Sequence, residues 1–263
     1  MKILFIGDIF GNRAARALVD FLPKYREENK IDLIIAQGEN VSGRKGLKVN
    51  DYKILKSAGI DVITMGNHVW AKDEIQNIIK NNDIVRPYNI SSKYPGHGTT
   101  VVEVKGKKIR ITEMMGISFN KLGNPWEEEA ANNFFDAFDE IEKNEEKCDY
   151  HLLDFHAETT SEKNVFGLYV DGKIDAFVGT HTHVQTNDYR ELPKGTLYIT
   201  DVGMTGPTDC AIGADYNSVY QKMRFDKKSR FFTSDTKLIL NAVQISLEDN
   251  NRNISPINIY LKE

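Results

Sequence analysis

Ile3-Leu4-Phe5-Ile6-Gly7-Asp8-Ile9-Phe10-Gly11 opens the chain with an apolar run of strand length that ends in a glycine and a carboxylate. The pattern returns at Leu33 to Ala36, which leads into Gly38-Glu39-Asn40, and at Val62 to Met65, which leads into Gly66-Asn67-His68. Helix-like stretches separate the runs: Arg13 to Glu28, Asn50 to Ala58 and Lys72 to Lys80. Such alternation predicts parallel strands joined by right-handed crossovers, with the Ile/Leu/Val runs buried on both faces of a sheet. Beyond residue 98 the pattern changes. Thr99 to Val104 and Lys108 to Thr112, joined at Lys105-Gly106-Lys107, read as a hairpin. Trp126 to Lys143 has helical spacing, and a helix is expected over Glu158 to Tyr169 between strands at His151 to Phe155 and Asp175 to Val178. The tail (Leu197 to Thr200, Thr236 to Leu247, Ile254 to Leu261) reads as antiparallel strands. The sum is an α/β chain of two packed sheets covered by helices.

Composition narrows the function. At 263 residues, with no repeat and no Pro/Ser-rich linker, the chain reads as one domain spanning 1–263. No apolar run approaches the roughly 20 residues of a membrane span. A net charge of -4 without a basic block disfavours stable duplex nucleic-acid binding. The two cysteines, Cys148 and Cys210, are too few for a disulfide framework or a thiolate metal site, and Asp8 follows the first apolar residues too closely for a signal peptide, so cytoplasmic residence is expected.

Five expected strands end in polar clusters: Asp8, Glu39-Asn40, Asn67-His68, His156 and His181-Thr182-His183. Ligands of α/β sheets sit at the carboxyl ends of the strands, so parallel neighbours would bring these clusters to one place. Each alone has an ordinary reading, as a turn, a helix cap or a surface histidine; their convergence points to metal. Oxygen and imidazole donors without thiolate suit iron, manganese or zinc. Two such ions need a shared anion, for which Glu39 is the candidate, and they lower the pKa of a bridging water that can attack phosphorus. The Gly7 to Gly11 turn matches neither the dinucleotide nor the P-loop pattern. Ser42-Gly43-Arg44-Lys45-Gly46 is either a phosphate-holding loop or a solvated one. Gly203-Met204-Thr205-Gly206-Pro207 is a candidate for the pocket mouth, His97 reads as a loop residue, His151 as a core or sheet-face histidine, and Trp70 and Tyr88 as packing residues, with stacking on a base as their alternative.

At these residues the sequence resembles the metallophosphoesterase (calcineurin-like) superfamily, and within it the YmdB-like phosphodiesterases. The resemblance is carried by Gly7-Asp8-Ile9-Phe10-Gly11, Gly38-Glu39-Asn40, Met65-Gly66-Asn67-His68, Asp154-Phe155-His156-Ala157-Glu158, Thr160-Ser161-Glu162-Lys163, Gly179 through Thr186, and Asp201-Val202-Gly203-Met204-Thr205-Gly206. Phe10, where the superfamily has histidine, and Glu39-Asn40, in place of the usual bridging aspartate motif, mark the YmdB-like branch. The resemblance implies a four-layer αββα sandwich. It implies one metal held by Asp8, Glu39, Asn40 and His183, a second held by Glu39, Asn67, His156 and His181, and His68 as proton donor; a contact from Asn40 to the substrate phosphate is the alternative to its ligand role. Iron, with manganese as substitute, is the implied metal, and small phosphodiesters including 2′,3′-cyclic nucleotides are the implied substrates. A regulatory nucleotide-binding protein and a phosphomonoesterase stay open as alternatives, as does a homo-oligomer.

Overall fold

The computed structural model describes residues 1–228, 230–248 and 251–262. The first crossover units form as their apolar pattern requires. Strand β1 (Lys2–Ile6) is followed by the two-residue β2 (Asp8–Ile9), helix α1 (Gly11–Asn29), β3 (Leu33–Gln37), α2 (Val49–Ser57), β4 (Val62–Thr64), a single 3₁₀ turn at Asp73–Asn77 and β5 (Ile84–Val85). In α1, Ala14, Ala15, Leu18 and Leu22 recur every three or four residues and are the buried face. The next units are the hairpin β6 (Thr99–Val104) and β7 (Lys107–Met115), then α3 (Phe134–Asn144), β8 (Tyr150–His156), α4 (Thr160–Val170) and β9 (Ala176–Thr180). The last are β10 (Arg190–Glu191), β11 (Leu197–Ile199), β12 (Met204–Pro207), α5 (Tyr216–Phe225), β13 (Leu238–Glu248) and β14 (Asn251–Tyr260).

These strands make two sheets. The eight-stranded sheet runs β2-β12-β13-β1-β3-β4-β5, with β14 also paired to β13; β1, β3, β4 and β5 are parallel. The six-stranded sheet runs β10-β11-β9-β8-β7-β6, with β7, β8, β9 and β11 parallel. Three apolar layers hold the stack. One joins α1 and α2 to the first sheet through Leu18, Leu55 and Ile63. A second lies between the sheets, where Phe5, Ile35 and Val62 meet Ile111, Leu152 and Val178. The third packs α3 and α4 on the second sheet through Phe138, Phe166 and Phe177. The order is therefore α, β, β, α, the expected four-layer sandwich.

Four local features differ from expectation. The helix expected from Trp126 begins only at Phe134, because the Asn133 side chain accepts the Phe135 and Asp136 N–H groups and so caps the helix there. Trp126 instead packs against Trp70 and Tyr94 and donates its indole N–H to the Asn67 carbonyl at 2.8 Å. The Lys72 to Lys80 stretch shortens to the 3₁₀ turn. β11 runs parallel to β9, since the small β10 hairpin turns the chain back before it enters the sheet. Helix α5 is additional to the expected elements, although Tyr216, Val219, Tyr220 and Met223 carry its spacing. Among the described residues no helix is long and apolar enough to cross a membrane.

His151 is a packing residue, stacked on Phe138 and hydrogen-bonded to Thr112 Oγ1 at 2.9 Å. Burial, aided by Arg110, pushes its pKa down to about 3 from 6.5. The unfolded chain therefore takes up the proton first, and stability held above pH 6.5 is lost as pH falls toward about 3. Thermal melts from pH 7 to 4 should show a shallower decline for His151→Gln than for the parent chain.

Candidate metal centre

The carboxyl ends of β1, β3 and β4 from one sheet and of β8 and β9 from the other point to the same place. β2 carries Asp8 there because its backbone pairs with β12: the Asp8 N–H donates to Gly203 O at 3.0 Å. Gly7 is required at this crossing, since a Cβ would lie 2.1 Å from Gly203 O. The 203–207 stretch is thus a buried strand beneath Asp8, not the pocket mouth.

Glu39, Asn67, His156 and His181 converge on one point. The Nε2 of His156 lies 3.0 Å from Asn67 Oδ1, 2.9 Å from His181 Nδ1 and 3.2 Å from Glu39 Oε1. A ring nitrogen carries at most one hydrogen, so it cannot satisfy three such neighbours; a cation among them would. Glu39, His156 and His181 offer ligand atoms all within 4.8 Å of one another. Asp8, Asn40 and His183 are a second set of candidate donors. His183 Nε2 is 3.7 Å from Asp8 Oδ1, and both Asp8 Oδ1 and Asn40 Oδ1 are buried without a hydrogen-bond partner. Two orphaned buried oxygens are costly unless something electropositive sits against them. The donor set of carboxylate, carboxamide and imidazole therefore fits hard or borderline metal ions at both groupings.

Outer contacts hold each ligand in place. His183 Nδ1 faces the Ile212 carbonyl at 3.0 Å, which leaves Nε2 as the free lone pair. His156 Nδ1 meets Thr180 Oγ1 at 2.9 Å, and that hydroxyl donates to Asp154 Oδ1 at 2.7 Å, while Thr64 donates to Asp154 Oδ2. Gly66 lets the His156 ring approach, since a Cβ there would stand 2.3 Å from it. His181 Nε2 reaches Glu158 at 2.9 Å. Residue type does not single out Asp154, Thr180 or Glu158, because polar residues along strands and loops give no hint of what they will face.

The His181-Thr182-His183 turn is strained. His181 and His183 have φ of 97° and 66°, conformations that cost roughly 1–3 kcal/mol each in residues other than glycine. A buried ion pair secures the turn: Lys163 Nζ donates to Asp201 Oδ2 at 2.7 Å and to the Thr180 carbonyl, and Asp201 Oδ2 also accepts the Thr182 N–H and hydroxyl.

Protonation follows burial and neighbours. Burial opposes charge on Glu39, but His156 and His68 outweigh it and hold the carboxyl far below its usual range. Burial likewise opposes ionised Asp8, which His183 and His156 keep below the usual range. Burial works against a charged His156, yet Glu39 and Asp8 lift it to about 9. Burial and the adjacent His156 lower His181 to about 3. Burial raises Asp154 to about 7 and, with Asp154 beside it, raises Glu113 well above its ordinary value. Of these carboxyl groups, Asp8 and Glu39 hold their charge most firmly.

Above these groups opens a cavity of about 590 Å³, with His68 and Glu158 on its wall and Arg44 and Lys45 on one side. Phe10, Ile212, Val219, Met223 of α5 and Phe231 add apolar surface, with Lys222 among them and Phe231 lying under Arg44. Trp70 is packed in the core and Tyr88 lies outside this cavity.

A family model described as YmdB-like protein matches residues 4–259. The chain belongs to the YmdB-like family. It is 41% identical over 251 residues to a Bacillus subtilis (strain 168) protein named 2′,3′-cyclic-nucleotide 2′-phosphodiesterase, covering 95% of this chain and 92% of that one. Among solved structures it is similar to a Thermus thermophilus protein described as hypothetical, with a TM-score of 0.91, 36% identity and full coverage of both chains. A Mycoplasma pneumoniae protein described as a novel phosphatase gives a TM-score of 0.88 at 36% identity, covering 99% of this chain and 93% of that one. The sandwich is of the metallophosphoesterase type.

Two measurements check this account. Manganese should raise the melting temperature of metal-free protein, by the equivalent of about 2.7 kcal/mol at 100 times its dissociation constant, and Glu39→Ala should abolish most of the rise. Lys163→Met, which strands Asp201, should cost about 3–5 kcal/mol in urea unfolding.

Proposed function

We propose that the whole chain acts as one catalytic unit, a dinuclear metal-dependent phosphodiesterase whose substrates include 2′,3′-cyclic nucleotides. Phosphoester hydrolysis is the chemistry of the family; the substrate and the two-metal arrangement are our reading. The observation that supports it is the gathering of Glu39, Asn67, His156 and His181, with Asp8 and His183 also paired nearby, beside a cavity lined by both basic and apolar side chains. Asp8, Asn40, Glu39 and His183 would hold one ion, and Glu39, Asn67, His156 and His181 the other; iron or manganese suits these donors. Bound there, the ions would supply Lewis-acid charge and a water acidified enough to act as nucleophile.

The chain's own residues do the rest. Glu39, ionised, is fixed by the His68 N–H on its Oε2 at 2.8 Å, with its Oε1 3.2 Å from His156 Nε2. Arg44 and Lys45 draw in the phosphodiester anion. The apolar surface of Phe10, Ile212 and Phe231 excludes water and offers a face for the nucleobase. His68 stands at the cavity wall beside Asn67, its Nδ1 3.3 Å from the Asn67 amide. Burial, with Lys45 nearby, lowers its pKa, and a bound phosphodiester would favour its protonated form. From there it donates a proton to the leaving oxygen.

His68→Ala should retain bound metal by elemental analysis yet hydrolyse 2′,3′-cyclic AMP about 10²–10⁴-fold more slowly. An aryl diester whose leaving group needs no proton should lose much less. Equal losses on the two substrates would remove His68 from the role.

A further inference from the structure

The loop that follows Glu39 lines more than the metal cavity. On its far side lies a second cavity of about 600 Å³ that shares Arg44, Lys45 and Phe231 with the first. Lys72, Arg230 and Thr233 also line it, and among the described residues no carboxylate does. Among the described residues none of the four cations has an ion-pair partner, although the chain as a whole carries a charge of -4. Four like charges gathered round one hollow repel one another, and that cost is recovered only when an anion enters.

The hollow is tied to the site. Asn40, whose Oδ1 faces the metal groupings unpartnered, donates its amide to the Arg44 carbonyl at 2.8 Å. Thr233 donates to the Gly43 carbonyl at 3.1 Å, and Arg44 lies over the Phe231 ring at 5.2 Å. Gly43 has a φ of 87° and a Cβ there would meet nothing within 4 Å, so its backbone borders open space. A cyclic phosphodiester carries one negative charge, which Arg44, Lys45 and the metal ions already face. Lys72 and Arg230 are surplus to that charge.

We infer that the second cavity is a subsite for another phosphate of the same substrate, so that the preferred substrate is a 2′,3′-cyclic nucleotide phosphorylated on O5′. This rests on reading the metal-lined cavity as the hydrolytic site. O5′ leaves the ribose on the side opposite the cyclic phosphate, so a nucleotide with its ring phosphate at the metals would direct its O5′ phosphate along the shared Arg44 and Lys45 boundary. Two sources share this chemistry: a free 5′-phosphorylated mononucleotide, and an oligoribonucleotide whose last internal phosphate occupies the hollow.

The test separates the subsite from catalysis. Adenosine 3′-monophosphate and adenosine 3′,5′-bisphosphate, the products of opening the ring at O2′, are titrated calorimetrically into manganese-loaded protein. The bisphosphate should bind about tenfold more tightly or better, the value of one charge-assisted contact, and the gain should shrink as salt rises. Lys72→Ala and Arg230→Ala should each reduce that gain while leaving 3′-monophosphate binding and 2′,3′-cyclic AMP hydrolysis unchanged. Equal affinity of the two nucleotides, no binding of either, or a gain that survives both substitutions overturns the subsite. Discrimination without any hydrolysis of 2′,3′-cyclic AMP upholds the subsite and overturns the catalytic reading instead. Comparing kcat/KM for 5′-phosphorylated 2′,3′-cyclic AMP with that for a diribonucleotide ending in a 2′,3′-cyclic phosphate assigns the source, the larger gain over 2′,3′-cyclic AMP marking it; no gain for either substrate overturns the preference.

Discussion

Four carboxyl groups, Asp8, Glu39, Asp154 and Glu113, are buried where the two sheets meet, and removing even one carboxylate from water costs several kcal/mol unless it is compensated. The fold resolves this by dividing them. Asp8 and Glu39 lie among imidazoles and stay ionised, whereas burial pushes Asp154 to about 7 and Glu113 well above its ordinary value. Charge is thereby favoured on Asp8 and Glu39 and disfavoured on Asp154 and Glu113 between the sheets.

Precision at the candidate site comes from backbone that would be unfavourable elsewhere. His181 and His183 occupy the left-handed region, and the buried Lys163–Asp201 pair, which grips the residue between them, keeps both imidazoles aimed inward. Gly7 and Gly66 serve the same end by absence of a side chain, one where two strands cross and the other where a ring must pass. The N-cap of α4, where the Thr159 hydroxyl accepts the Glu162 N–H and donates to the Glu162 carboxylate, sets the start of the helix that carries Lys163. A helix cap, an ion pair and a strained turn are thus successive links between local sequence and ligand geometry.

Chemistry and recognition are divided among the layers. The strand ends of both sheets supply the candidate ligand atoms, the loop after β3 supplies positive charge, and Ala211, Ile212, Val219, Met223 and Phe231 supply apolar surface, with Lys222 among them. Variation there would change what is bound without disturbing those ligand atoms, since loops held by a rigid scaffold tolerate change.

The succession of Ile/Leu/Val runs determined the crossover units on its own, because residues buried on both faces of a parallel sheet leave a continuous apolar signature. The polar residues at the ends of those runs could be read from sequence because they recur: one alone has an ordinary reading, whereas five strand ends with the same chemistry do not. Only the tertiary structure decided how those residues group about Glu39, and that Asp154, Thr180 and Glu158 support them, because a hydrogen bond between distant strands leaves no periodicity. It also decided where α3 begins, since a single Asn133 cap outweighs the helical spacing upstream, and that Arg44, Lys45, Lys72 and Arg230 share one hollow. Spacing along a chain records which face a residue takes, whereas partners from distant segments are chosen by the packing of whole layers.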